Sequence, residues 1–149
     1  MFRLITINCV VVFISLVVHY EFLLKLTHWV PRLSIPHRLR LFVFVAGTLI
    51  AHAVEIWVFG LAYFVVSHWD QFGELTGDFT GQFLEYIYFS FTTYTSLGIG
   101  DIKPTGYVRF LTGIEALTGL VLITWTASFL FVEMQKNWRT NGNRYDGCT

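Results

Sequence analysis

The segment TYTSLGIGDIKPTG, residues 93–106, places two glycines, a carboxylate and a proline between two strongly apolar stretches. Backbone that is not helical is tolerated at membrane depth only where protein or a water-filled cavity surrounds it, because unpaired peptide groups are costly in lipid. A row of carbonyl oxygens directed at one axis requires backbone angles that alternate in hand, and positive φ is inexpensive only for glycine. Gly98 and Gly100 supply that alternation. The segment therefore predicts a loop that several copies of the chain enclose.

The composition indicates one small membrane-protein subunit. Of the 149 residues, 54% are hydrophobic and 13% are charged. The chain is therefore too apolar for a soluble domain, and it is too short for several domains. The formal net charge is zero, so no basic field favours nucleic acid as a partner. Cys9 and Cys148 stand at opposite ends of the chain and support neither a disulfide framework nor a metal site.

Hydropathy predicts three membrane-spanning helices, since a helix needs roughly 20 mainly apolar residues to cross the hydrocarbon core. They are residues 4–20, 41–66 and about 107–132, and we interpret the first as a retained anchor and not as a cleaved signal peptide. The apolar stretch 83–93 is too short to span and predicts a re-entrant helix. The expected fold is an all-α membrane protein with three transmembrane helices, a re-entrant helix and a loop.

The distribution of charge predicts the orientation of a multi-pass protein in the cell membrane. Basic residues follow the first and third spans, while the connector before the third span is acidic. Because cytoplasmic loops are enriched in Lys and Arg, we expect the N-terminus outside and the C-terminus in the cytoplasm. The basic residues in question are Lys25, Arg32, Arg38, Arg40, Lys136, Arg139 and Arg144.

The loop is also suited to a positive ion. The carbonyl oxygens of Ser96, Leu97, Gly98 and Ile99, with the Ser96 hydroxyl, are predicted to replace the water shell of a dehydrating cation. The preceding short helix, with Thr80 as its candidate N-cap, directs its negative C-terminal end toward the same axis.

The sequence YFSFTTYTSLGIGDIKPTG resembles the pore helix, filter and exit strand of the potassium-channel superfamily, whose filter reads Thr-Val-Gly-Tyr-Gly-Asp. The similarity covers about residues 81–131 and includes a span on each side. It implies a small channel subunit of the prokaryotic type with an extra N-terminal helix, four copies of which form a homotetramer in the lipid bilayer. It also implies that the chain is not an enzyme and needs no cofactor, with K+ as the permeant ligand.

The resemblance assigns roles residue by residue. Asp101 closes the filter at the pore mouth, Thr92 stands where some members carry a glutamate that contacts that aspartate, and Gly119 stands where the family often has a hinge glycine. The ion path is lined by Ser96, Leu97, Gly98, Ile99 and Gly100, with K+ bound at the first four. The chain divides into an N-terminal helix with a cytoplasmic connector, a pore domain and a cytoplasmic tail, at residues 1–40, 41–133 and 134–149.

Three departures from the family filter bear on ion selectivity. Ser96 lacks the methyl group of threonine, Leu97 is not β-branched, and Ile99 lacks the hydroxyl that anchors the family filter to neighbouring aromatic residues. We therefore expect Tyr88 and Phe89 to support the loop by apolar contact alone. A softer filter admits Na+ as well as K+, so a weakly selective channel is the alternative to a potassium channel.

Ionisable residues within the spans are expensive in a bilayer and are candidate functional sites. His52 and Glu55 lie three residues apart on one face of the second span, and Glu115 is expected at a comparable depth in the third. One hypothesis is a shared-proton cluster behind the filter that makes opening depend on pH. The other is a neutral, hydrogen-bonded contact between helices.

Other interpretations remain open at this stage. Helical spacing from Gly119 places Phe131 on the inner face of the third span, where a ring of phenylalanines would gate by dewetting, although the same side chain suits a lipid-facing position. The fold also suits a non-conducting accessory subunit of another channel. A haem-binding redox protein using His19, His28 or His52 would need histidines from different spans at similar depth.

Overall fold

The computed structural model describes residues 2–69 and 72–145 and is mainly helical. Side chains of Arg38, Arg139 and Arg144, and all of Cys148, lie outside the described part. Along the chain the elements are α1 (Phe2–Trp29), a 3-10 turn (Val30–Arg32), α2 (His37–Ser67), β1 (Leu75–Gly77), α3 (Phe83–Tyr94), β2 (Ile102–Pro104) and α4 (Val108–Tyr145).

The three predicted spans are confirmed, with longer bounds. Within the described residues, three helices are long and apolar enough to cross a membrane, at Ile5–Arg32, Leu39–Ser67 and Val108–Lys136. The expected end of the first helix near Tyr20 is wrong, because α1 continues to Trp29. The Thr27 hydroxyl donates to the Leu23 carbonyl, and the helix stops only where Pro31, which has no N–H to donate, enters the 3-10 turn.

The polar sequence after residue 133 does not end the last helix, because α4 continues to Tyr145. Glu, Gln, Lys and Arg are good helix formers, so a polar composition alone does not terminate a helix. The division at residue 133 into a pore domain and a tail stays a prediction.

The core lies where α2, α3 and α4 meet. Phe59, Tyr63 and Leu111 are completely buried there, and the Tyr63 and Phe89 rings meet edge to face with centroids 5.0 Å apart. Gly60 in α2 lets α3 approach closely, because a Cβ at this position would overlap the Ile87 side chain. The short helix is therefore held against two long helices.

A two-stranded antiparallel ribbon joins the segment before α3 to the segment after the glycine-rich loop. β1 pairs with β2 in the register Leu75↔Pro104 and Gly77↔Ile102. Gly77 has a φ of 112°, and a Cβ there would overlap the carbonyl of Asp101. The ribbon ties both ends of the helix–loop unit together.

Candidate ion-binding site

The loop after α3 begins by turning its amide groups back onto that helix. The Ser96 N–H donates to the Thr93 carbonyl at 2.9 Å, and the amides of Leu97 and Gly98 both donate to the Thr92 carbonyl, at 2.9 and 3.1 Å. Among the described residues, no hydrogen bond ends on the carbonyl oxygens of residues 96–99. The first three amides of the loop, those of Ser96, Leu97 and Gly98, are thus used within the chain, while the carbonyl oxygens of residues 96–99 are left for another ligand.

Backbone angles alternate in hand through the loop. Ser96, Gly98 and Gly100 have φ values of 57°, 51° and 87°, whereas Leu97 and Ile99 do not have positive φ. Sequence reasoning assigned the left-handed positions to the glycines alone and missed Ser96. A left-handed conformation costs a non-glycine residue roughly 1–2 kcal/mol, so the hydrogen bonds at the end of α3 must hold Ser96 in place.

The loop is exposed in a single chain. The side chains of Leu97 and Ile99 are 65% and 58% exposed, although both are strongly apolar. At membrane depth, backbone in this state is tolerated only where protein or a water-filled cavity surrounds it.

Asp101 follows the loop and is fixed by α3. The Tyr88 hydroxyl donates to its Oδ2 at 2.8 Å, and the N–H of Ile102 donates to Oδ1 at 2.9 Å. The hydrogen bond from Tyr88 lowers the pKa of Asp101 below its ordinary value, because its effect is larger than that of the partial desolvation, which raises the pKa. The expectation that Tyr88 acts by apolar contact alone is wrong, since its hydroxyl reaches past the loop to the carboxylate.

Phe89 and Thr92, the other predicted supports, act inside α3. Phe89 is buried against Tyr63 and stabilises the helix by packing. Thr92 stands where some family members carry a glutamate that contacts the aspartate, but here its hydroxyl donates to the Phe89 carbonyl. Thr92 instead supports the loop through its carbonyl, which accepts the amides of Leu97 and Gly98.

The N-terminus of α3 differs from the prediction as well. The N-cap is Gln82 and not Thr80. The Thr80 hydroxyl and amide both donate to the Glu85 carboxylate at 2.8 Å, and the Gly81 amide donates to it at the same distance. Desolvation raises the pKa of Glu85, but these hydrogen bonds, of which that from the Thr80 hydroxyl has the largest effect, together lower it by more. The pKa of Glu85 therefore lies below its ordinary value. A carboxylate near the positive end of the helix dipole stabilises α3.

A buried polar group, the histidine cluster, joins four helices at the base of the loop. His19 Nδ1 lies 2.8 Å from Glu55 Oε1, and His52 Nδ1 lies 3.1 Å from Glu55 Oε2. The Tyr94 hydroxyl donates to Glu55 Oε2 and lies 2.9 Å from His52 Nδ1. The Thr126 hydroxyl lies 3.3 Å from His19 Nε2 and 3.0 Å from His52 Nε2. The cluster thus consists of His19, His52, Glu55, Tyr94 and Thr126.

Glu115 forms no hydrogen bond to this cluster, so the predicted shared group of His52, Glu55 and Glu115 is not formed by direct contact. Glu115 accepts hydrogen bonds from Tyr63 and Ser90, each at 2.5 Å, and is completely buried. Ser90 also donates to the carbonyl of Ile56, next to Glu55, so Glu115 lies beside the cluster. Sequence reasoning brought His52 and Glu55 together correctly, but it missed His19; a histidine within an apolar span was the available signal.

The family model described as an ion channel matches residues 39–136. The chain belongs to this ion-channel family. The match begins in α2, ends in α4 and contains the loop, which supports the resemblance to a potassium-channel pore domain. α1 precedes the matched residues. No curated protein and no solved structure matches the chain. With three apolar helices, the channel is a multi-pass membrane protein.

The haem alternative finds no support in this channel subunit. The His19 and His52 rings do come from different spans, but their centroids are 5.3 Å apart and both contact the Thr126 hydroxyl. A porphyrin between two axial histidines needs an open slot, and these rings leave none. His28 is exposed on α1.

Gly119 and Phe131, the predicted hinge and gate, both lie within continuous α4. At Gly119 the helix packs directly on the end of α3, because a Cβ would overlap the Tyr94 carbonyl. This contact explains the glycine independently of any hinge. Phe131 is exposed in the single chain. The hinge and the gate stay predictions.

Proposed function

We propose that four copies of this channel chain surround one axis and conduct K+ along the carbonyl oxygens of Ser96, Leu97, Gly98 and Ile99. The observation that carries the proposal is the alternation in hand from Ser96 to Gly100, together with the amides of Ser96, Leu97 and Gly98, which donate to carbonyls of α3. Backbone of alternating hand turns successive carbonyls to one side of the chain, and a row of oxygens can replace a hydration shell.

A closed ring of copies is needed because one loop cannot surround an ion, and the resemblance to potassium channels implies that the ring is a homotetramer. The exposed Leu97 and Ile99 side chains and the uncovered loop would be enclosed by neighbouring copies. In this assembly α3 is a re-entrant pore helix, and its C-terminal end directs negative partial charge at the entering cation. α4 lines the inner path, with the N-terminus outside and the C-terminus cytoplasmic.

Selectivity for K+ over Na+ depends on how firmly the loop is held. Two contacts in this chain compensate for the missing tyrosine hydroxyl of the family filter: Tyr88 bonds Asp101 beyond the loop, and Tyr94 bonds Glu55 before it. Both ends of the loop are thereby fixed, which favours K+ over the weakly selective alternative. Asp101, kept ionised at the mouth, concentrates cations there.

Flux from proteoliposomes loaded in turn with K+ and Na+ tests this proposal. We expect K+ efflux to exceed Na+ efflux, with native mass spectrometry giving four times the 17.2 kDa of one chain. Equal flux of the two ions supports the weakly selective alternative. Flux of neither ion from a tetrameric preparation, in vesicles that respond normally to an added ionophore, supports the accessory-subunit reading and contradicts conduction.

A further inference from the structure

Four hydrogen bonds of the histidine cluster form a closed ring across three helices. The ring runs from Glu55 to His19, from His19 to Thr126, from Thr126 to His52, and from His52 back to Glu55. His19 comes from α1, Glu55 and His52 from α2, and Thr126 from α4. The side chains of His19 and Glu55 are completely buried, so water cannot substitute for a missing bond between these two residues. The His52 side chain is 13% exposed.

A count of protons shows what the ring requires. Each imidazole directs Nδ1 at the Glu55 carboxylate and Nε2 at the Thr126 hydroxyl. With an ionised carboxylate and two neutral imidazoles, both Nδ1 atoms donate to Glu55, and both Nε2 atoms are acceptors. The single Thr126 proton can serve only one of them. One hydrogen bond would be lost, and an unpaired negative charge would lie buried in the membrane.

One additional proton removes both problems. On an imidazole, it makes one Nε2 a donor to Thr126 while Thr126 donates to the other, so all four bonds form. The same proton also completes the ring if it lies on Glu55. The carboxyl then donates to Nδ1 of His52, and His52, in its other tautomer, donates from Nε2 to Thr126. Either arrangement has zero net charge, which a buried site favours strongly.

We infer that His19, His52 and Glu55 hold one shared proton, and that α1 positions the filter loop through His19. The link to the loop is Tyr94, which donates to Glu55, contacts His52 and lies two residues before Ser96. This role of α1 rests on the proposed conduction through the loop, whereas the proton count does not.

α3 contributes the Tyr94 hydroxyl to the surroundings of the ring, and α4 contributes Thr126 and the Trp125 ring, whose centroid is 5.3 Å from that of His19. Glu115 is engaged with Tyr63 and Ser90 and forms no hydrogen bond to the ring, but it interacts electrostatically with Tyr94. The pH response of the ring therefore depends on its own three titratable members, on the tyrosine and on Glu115.

A divalent metal ion is the competing occupant of the same side chains. His19, His52 and Glu55 offer ligand atoms within 4.8 Å of one another. A cavity of about 440 Å³ reaches His52 but is not lined by His19 or Glu55; its other lining residues include Tyr94 and Thr126 and are otherwise mainly apolar. An apolar entry disfavours a hydrated metal ion, and both Nε2 atoms already have the Thr126 hydroxyl as a partner.

The proton count can be measured without any flux. We expect 15N NMR of histidine-labelled wild-type protein in lipid nanodiscs at neutral pH to show three protonated ring nitrogens among the four of His19 and His52. The alternative tautomer gives two, together with the infrared carbonyl band of a protonated Glu55, assigned by its loss in Glu55→Gln. Two ring protons with an ionised carboxylate would overturn the inference, as would stoichiometric zinc in the purified protein.

The role of α1 is tested with His19→Gln, which can still bond to Glu55 and Thr126 but cannot hold the proton. We expect the wild-type K+/Na+ flux ratio to change about tenfold when the medium is made alkaline enough to remove the shared proton, because one ring bond is then lost. His19→Gln should shift this pH profile, because only His52 and Glu55 are left to hold the proton. The control His28→Gln, exposed on the same helix, should show the wild-type profile.

The outcomes separate the two proposals. A shared proton in a tetramer that passes no ion would remove the proposed conduction and the positioning role while leaving the proton count intact. A normal K+ channel whose pH profile is the same in wild type and His19→Gln would overturn the role of α1 and leave conduction standing.

Discussion

The Tyr88 hydroxyl is the residue-scale contact that links the short helix to the predicted pore mouth. It spans thirteen positions of sequence and fixes the carboxylate of Asp101, whose other oxygen accepts the amide of Ile102. Because a hydrogen bond to the ionised carboxylate favours that form, the contact keeps Asp101 charged to lower pH than an isolated aspartate.

Tyr88→Phe is therefore expected to make cation flux more sensitive to acid. Without the hydroxyl, the pKa of Asp101 rises toward the ordinary value of about 3.9, so the carboxylate is neutralised at higher pH as the medium is acidified. The difference in flux between Tyr88→Phe and wild type should be present at acidic pH, where Asp101 becomes protonated, and absent at pH values well above the pKa of Asp101. It is measured as K+ flux against external pH.

The matched control for this substitution is Tyr107→Phe, a change to an exposed tyrosine in the segment that precedes α4. Its acid profile should match that of wild type. Identical profiles for wild type and Tyr88→Phe would show that the hydroxyl does not hold Asp101 in the membrane.

At this scale the sequence predicted which residues form the loop but not all of their conformations. The two glycines were identified because positive φ is cheap for them, and Gly98 and Gly100 do have it. Ser96 was missed because serine carries no such signal; hydrogen bonds to the end of α3 impose its conformation. Tyr88 was misjudged because the direction of a side chain is not visible in a pattern of residue types.

At the scale of elements, α4 contacts the end of α3 through Gly119. A Cβ there would overlap the backbone carbonyl of Tyr94, and Tyr94 is itself held by the histidine cluster. Neither side can yield by rotating a side chain, so the separation of the two helices at this point depends on the glycine.

Gly119→Ala is accordingly expected to lower the midpoint of thermal unfolding and to disturb the loop that follows Tyr94. Overpacking of this kind typically costs about 1–3 kcal/mol. The control is Gly113→Ala, since a Cβ at Gly113 in the same helix has nothing within 4 Å. That change should be neutral or slightly stabilising because alanine is the better helix former. Equal effects of the two substitutions would contradict the close contact.

Hydropathy predicted the long helices because crossing a membrane imposes a length and a composition that one sequence displays. It did not predict where α1 ends, because Glu21 and Lys25 are polar but form an i,i+4 pair within the continuing helix. It also did not predict the ribbon, whose strands of three residues are too short for any periodicity and depend on pairing between Leu75 and Pro104.

At the scale of the whole molecule, one chain leaves most of its apolar surface uncovered. Only 28–33% of the most apolar window of each spanning helix is buried within the chain. Lipid can cover the helices, but irregular backbone such as the loop is tolerated at membrane depth only beside protein or a water-filled cavity. Sequence alone could not identify what covers the loop, because contacts between chains leave no periodic signal.

The comparison of Gly98→Ala with Gly81→Ala tests whether the loops converge on one axis. Both glycines have positive φ, 51° and 85°, and a Cβ at either has nothing within 4 Å in the single chain. Alanine should therefore strain the backbone similarly at both sites, by roughly 1–2 kcal/mol. Four Cβ atoms around one axis would crowd the ion path at residue 98 only. We expect K+ flux to fall at least about tenfold in Gly98→Ala and to stay near wild type in Gly81→Ala, with both variants tetrameric by native mass spectrometry. Equal flux in the two variants would mean that residue 98 does not face an axis, and the carbonyl path would have to be abandoned.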